Sequence, residues 1–173
     1  ASTDWSDEVF RTAFSHTHHL ALKSGNAKSN YYASVDYRSR DGIIRNTGQE
    51  RTNLKFGFNR SLFNDKMTLS ANINDVFTVG HTVSTDEVLF ATLVTNPTEP
   101  IYGPTGDYSI FVDSTNPVKL INEYNNTTRW NEIQASGKVT YTPIGPLTFT
   151  MIGGYRYFGN IDGSYATRKF DTN

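Results

Sequence analysis

Apolar and polar side chains alternate with a period of two in six separate segments of this chain, and that period commits each segment to a strand with two chemically different faces. The alternation predicts strands over approximately 13–23, 30–38, 52–61, 66–77, 130–142 and 147–158. In the first, Phe14, His16, His18, Leu20 and Leu22 oppose Ser15, Thr17, His19, Ala21 and Lys23. In the second, Tyr31, Ala33, Val35 and Tyr37 oppose Tyr32, Ser34, Asp36 and Arg38. Leu54, Phe56 and Phe58 mark one face of the third, Met67, Leu69, Ala71 and Ile73 of the fourth, Ile133, Ala135, Val139 and Tyr141 of the fifth, and Leu147, Phe149, Met151, Gly153, Tyr155 and Tyr157 of the sixth.

The polar faces are built mainly from Ser, Thr and Asn, whereas a half-buried sheet in water usually turns charge outward. The chain holds 22 Thr and 16 Asn, and only 36% of its residues are hydrophobic, which is thin filling for a self-sufficient core. Connections alternate in length as well. Those at 24–29, 62–66 and 143–146 are short; those from Ser39 to Arg51 and over 79–129 are long. Short turns at one end, long loops at the other and Tyr31, Tyr37, Tyr155 and Tyr157 flanking an apolar band are the habits of a transmembrane barrel. The expected fold class is therefore all-β, with antiparallel up-and-down strands forming part of a transmembrane β-barrel. A soluble antiparallel sandwich or meander is the alternative. No run of about 18 apolar residues occurs, so a membrane role would have to come through strands.

The long outer loop, 79–129, carries helix signals of its own. Ser84 with Glu87 forms a capping box ahead of Val88, Leu89, Phe90, Leu93 and Val94, stopped by Asn96-Pro97. Asn116 caps a second short helix that begins at Pro117.

The balance of 16 basic and 17 acidic residues, without a basic block, leaves no electrostatic footprint for nucleic acid. With no cysteine there are no disulfides, thiolate metal sites or cysteine nucleophiles. His16 and His18 share a strand face, but a zinc site needs three or four converging ligands and His81 lies far along the chain, so no metal is expected. Asp4, Asp7, Glu8, Asp36, Asp86, Glu87 and Glu99 sit mostly at turns and helix starts, where carboxylates cap. No phosphate-loop, dinucleotide or G-x-S-x-G motif is present. The chain is expected to be no enzyme, with no catalytic residue and no cofactor.

The order Thr3-Asp4-Trp5, Arg11-Thr12-Ala13-Phe14-Ser15-His16 and Asn30-Tyr31-Tyr32-Ala33-Ser34-Val35-Asp36-Tyr37-Arg38 resembles the early barrel of TonB-dependent outer-membrane transporters of the SusC/RagA type. Asp41-Gly42-Ile43, Asn64-Asp65-Lys66-Met67-Thr68-Leu69, Asn96-Pro97-Thr98 with Pro100-Ile101-Tyr102, Asn116-Pro117-Val118 and Gly145-Pro146-Leu147-Thr148-Phe149-Thr150 continue that resemblance in the same order. It implies an importer of oligosaccharides, glycan fragments or peptides in the outer membrane of a Gram-negative, Bacteroidetes-like bacterium. A SusD-like surface lipoprotein, the TonB complex and outer-membrane lipid would be its partners. Such transporters close a 22-stranded barrel around a plug, so residues 1–173 read as a partial barrel segment, with plug and remaining strands expected outside it. Alone in water, such a slice is expected to self-associate through its edges or apolar face, or to curl that face inward.

Sugar recognition uses flat aromatic faces beside hydrogen-bonding groups. Tyr102, Asp107, Tyr108, Phe111 and Trp130 are the candidate solute or vestibule contacts, though the same rings could simply pack the loop down. Asp36, Arg38, Lys55 and Lys138 are the candidate lumen-facing groups, able to touch plug or solute or to stay hydrated. A soluble β-rich carbohydrate-binding or adhesion module remains the other functional reading.

Overall fold

The structure, a computed structural model, describes residues 2–171. A short helix α1 (Trp5–Val9) precedes four strands, β1 (Ser15–Asn26), β2 (Ser29–Asp41), β3 (Gly48–Leu62) and β4 (Met67–Thr82). Helices α2 (Thr85–Val94) and α3 (Pro117–Glu123) follow, then β5 (Tyr124–Ile144), β6 (Leu147–Ala166) and one turn of helix, α4 (Arg168–Asp171). The strands form one six-stranded antiparallel sheet in sequence order β1-β2-β3-β4-β5-β6. The sheet is not closed: β1 and β6 each pair on one side only.

Directly paired residues point to the same face, so register fixes what each face carries. One row reads Leu22, Ala33, Phe56, Ile73, Ala135 and Tyr155 across the six strands. A row on the opposite face reads Thr17, Arg38, Arg51, Thr78, Trp130 and Asn160. The alternation seen in each strand is thus in phase across the whole sheet. No described residue covers its apolar face: Leu22, Phe56, Ile73 and Tyr155 are all exposed.

The strands run further than side-chain alternation indicates, because backbone pairing continues through polar residues. The connection placed at Ser39–Arg51 shrinks to 42–47, and the long loop placed at 79–129 shrinks to 83–123. The six-residue turn placed at 24–29 is a two-residue hairpin, in which Asn26 Oδ1 accepts from the Lys28 and Ser29 amides at 2.9 Å. Tyr155 and Tyr157 lie mid-strand rather than closing β6, which pairs on through Tyr165 with Asn125. At the β3–β4 turn, Phe63, Asn64 and Asp65 all take positive φ, of 55°, 50° and 65°, and the Ser61 hydroxyl donates to Asp65. Asn and Asp tolerate this conformation; Phe does so at a cost.

The buried core lies beyond the end of the sheet, at the long connections. Val9, Ile44, Val83, Val88, Ala91, Leu120 and Ile121 form it, with Phe10 and Phe170 packed against it. α3 starts as its residues dictate: Asn116 Oδ1 accepts from the Val118 and Lys119 amides at 3.0 and 3.3 Å, with Pro117 opening the helix. The capping box expected at Ser84 does not form. Its side chain makes no cap bond, and α2 is held there by the Ser84 carbonyl accepting from the Val88 amide at 2.9 Å.

Candidate functional site: the loop cap and the polar face

Between α2 and α3 the chain folds into a tight hairpin. Tyr102 and Tyr108 bridge, the Gly103 amide donates to the Asp107 carbonyl at 2.8 Å, and Gly106 turns the chain at φ 84°, a conformation that favours glycine. The two tyrosine rings meet at 5.2 Å, tilted by 32°. Asp107 accepts from the Thr105 hydroxyl at 3.1 Å and remains exposed. Asn116 clamps the hairpin from behind, its Nδ2 donating to the carbonyls of Ile101 at 2.9 Å and Ser109 at 3.4 Å.

Tyr108 is also tied to the end of α3. Its hydroxyl donates to Glu123 Oε1 at 2.9 Å, and Glu123 Oε2 accepts from the Thr167 hydroxyl. Burial, with help from the Glu123 carboxylate, pushes the Tyr108 phenol up to about 12. Phe111 meets Trp5 edge-on at 5.7 Å, while the Trp5 indole donates to the Asn96 carbonyl at 3.1 Å. The segment 108–116 and Lys119 line a cavity of about 340 Å³, to which Tyr108 and Phe111 both contribute.

The five aromatic and acidic candidates therefore separate. Tyr102, Asp107 and Tyr108 stand in one hairpin, and Phe111 follows them but packs on Trp5. Trp130 is not with them: it projects from β5 on the polar face, opposite Thr78 and Asn160. Six residues of strand, about 20 Å, separate it from the start of β5.

The four lumen candidates all lie on that polar face. Asp36, Arg38 and Lys55 share a cavity of about 280 Å³ with Thr17, Arg51 and Asn53. Asp36 Oδ1 is 2.5 Å from His19 Nδ1. Lys138 stands apart on β5, between Ser70 and Ile152. Arg51 was hidden from side-chain patterning because its segment reads as a loop; continuing the alternation Arg51, Asn53, Lys55 backwards would have found it. In the strands this face carries Lys23, Arg38, Arg40, Arg51, Lys55, Lys138 and Arg156 against Asp36, Glu132 and Asp162. It is positive on a chain whose formal net charge is −1.

The other face has polar punctuation at mid-strand and towards the loop end. Asn131 Nδ2 donates to Asp75 Oδ1 at 2.6 Å, so this carboxylate does not face the apolar band alone. His16 and His18 sit with rings 5.0 Å apart, and His18 stacks on Tyr37 at 6.4 Å. No helix among the described residues is long and apolar enough to cross a membrane.

A sequential antiparallel sheet with one exposed apolar face, one hydrophilic face and loop lengths that differ at its two ends defines a piece of transmembrane β-barrel wall. Its relatives are narrower than that class. The chain is 32% identical over 110 residues to the TonB-dependent receptor SusC of Bacteroides thetaiotaomicron, covering 62% of this chain and 11% of the receptor. It is 27% identical over 171 residues to the TonB-dependent receptor P3 of Formosa agariphila, covering 90% of this chain and 17% of the receptor. Among solved structures it matches the RagAB peptide importer in its closed-closed state with a TM-score of 0.75 at 16% identity, over 99% of this chain and 21% of that one. No family model matches. The resemblance to SusC/RagA-type TonB-dependent transporters holds, and the chain spans less than a fifth of the length of the curated receptors it matches. These relatives are named as receptors and an importer, not as enzymes.

Proposed function

We propose that these residues are barrel wall in an outer-membrane TonB-dependent nutrient importer of SusC type, carrying oligosaccharides, glycan fragments or peptides. The observation that carries this reading is the sequence likeness to two TonB-dependent receptors, supported by the superposition of 99% of the chain on part of the RagAB peptide importer. The apolar face then meets outer-membrane lipid in a Gram-negative, Bacteroidetes-like bacterium. The polar face, with Asp36, Arg38, Lys55 and Lys138, lines the lumen. The cap hairpin of Tyr102, Asp107 and Tyr108 stands at the outer mouth, where solute arrives and a SusD-like lipoprotein would close. Phe111 anchors that hairpin, and Trp130 offers an indole to solute further in. Energy comes from the TonB complex, and the role is transport without catalysis.

Uptake of labelled oligosaccharides and peptides by the host tests this. Deleting the gene, or TonB, is expected to abolish entry of one solute class. If uptake of both classes survives loss of the gene, the importer role is wrong. Expressed alone in water, residues 1–173 are expected to mask their apolar face and the free edges of β1 and β6 by association or inward curling. A clean monomer by light scattering that binds no apolar dye and pairs no strands between chains contradicts this.

A further inference from the structure

Arg38 and Arg51 are direct cross-strand partners, so two guanidinium groups rise side by side from the polar face. Like charges in that arrangement repel and weaken the pairing. Among the described residues no ion pair relieves them, although the Glu132 carboxylate is weakly drawn to Arg51. The ion pairs among the described residues join Arg11 to Asp41, His19 to Asp36 and Arg156 to Glu132, and none involves Arg38, Arg51 or Lys55. The one carboxylate in their cavity, Asp36, is engaged by His19 at 2.5 Å. Glu132 is held by Gln134 and Arg156 at 2.7 and 2.9 Å.

Position favours an occupant from outside. Arg38 lies three residues from the loop end of β2 at Asp41, and Arg51 three residues from the loop end of β3 at Gly48, about 10 Å beneath the connections. Lys55 lies on the same face about 13 Å further along β3. A cation pair near the mouth, with another cation behind it, concentrates anions and leads them inward. The guanidinium fork also matches a carboxylate in shape.

We infer that the cavity lined by Thr17, Arg38, Arg51, Asn53 and Lys55 is a subsite for a carboxylate group of the carried solute, either a uronate sugar or an acidic peptide side chain. The inference rests on the importer reading and narrows its substrate class. Arg38 and Arg51 clamp the carboxylate, and Lys55 receives the next one along the chain of the solute.

The test uses the intact gene product in detergent, titrated with tetragalacturonate and hexaglutamate and with their neutral counterparts, methyl-esterified tetragalacturonate and hexaglutamine. At least one anionic probe is expected to bind about tenfold or more tightly than its counterpart, with the advantage shrinking as salt rises. The double substitution R38Q/R51Q is expected to remove most of that advantage, Lys55 keeping the remainder, and to leave the neutral probe unchanged. Which acid wins identifies the source of the carboxylate. Equal binding of acid and neutral probes, or a preference undiminished in R38Q/R51Q, overturns the subsite. So does a double variant that binds like the parent but exposes other parts of the polypeptide to protease, because the arginines then serve an acid within the protein. TonB-dependent uptake read in parallel separates the two ideas: if it persists without anion preference, only the subsite falls.

Discussion

The sheet and the loop cap treat apolar side chains in opposite ways. Leu120 in the cap is 1% exposed, whereas Ile73 at the centre of the sheet is 48% exposed. In the cap, helix caps, a small cluster of Val, Ile and Leu and an edge-on Trp5–Phe111 pair make an ordinary hydrophobic core that excludes water by itself. In the sheet, backbone pairing supplies the order and the apolar face is left for another phase to cover. The cap therefore owes its stability to its own residues; the sheet owes part of its stability to the surrounding solvent. The low hydrophobic content of the chain follows from this division, since one face of each strand is largely polar and, among the described residues, no second layer packs on the other.

Cutting into each region should separate these two dependences. Leu120→Ala in the intact gene product is expected to cost about 2–5 kcal/mol, the range for deleting a buried leucine side chain. Denaturant unfolding should give a similar loss in detergent and in lipid vesicles; a loss seen only in vesicles breaks the distinction. Ile73→Arg is expected to cost about 2–4 kcal/mol in vesicles, as for a cation at the midplane of a barrel's lipid face, and much less in detergent that lets the guanidinium reach water. Equal costs in the two media would mean that Ile73 meets protein rather than lipid.

The smallest effect is at the latch between the hairpin and α3, within the cap. Tyr108→Phe removes one hydrogen bond to Glu123 and is expected to cost about 1 kcal/mol. Its sharper readout is pH. The folded state holds the Tyr108 proton more tightly than the unfolded chain, so this contribution is complete below about pH 10 and is lost as pH rises through 12. Alkaline titration of local order around the hairpin, followed by amide exchange, should therefore show a transition that Tyr108→Phe lacks. A transition that persists in the variant assigns it to another group.

How far the sequence could be read differs in the same way between the regions. Every strand of the sheet was visible because Leu, Phe, Tyr and Ile alternate with Ser, Thr and Asn, and a two-residue period has no other explanation. The strand ends were not visible. Glu50, Arg51, His81, Asn126 and Ser164 carry no apolar alternation, yet their backbones pair as well as any. In the cap, Asn116-Pro117 announced a helix and made one. Ser84 and Glu87 announced a capping box that the structure does not close, since a local motif competes there with the exit of β4 into α2. Trp5 gave no local signal of its partners, because Asn96 and Phe111 are brought to it only by the folded loop.

The sequence by itself determined two-faced strands, short turns at one end and long loops at the other, because side-chain alternation and turn residues are local properties. Only the tertiary structure decided which residues meet across strands. Register sets Arg38 against Arg51 and places Trp130 between Thr78 and Asn160. Hydrogen-bond pairing along the backbone is blind to side-chain identity, so those juxtapositions arise from how the strands align rather than from any motif within one of them.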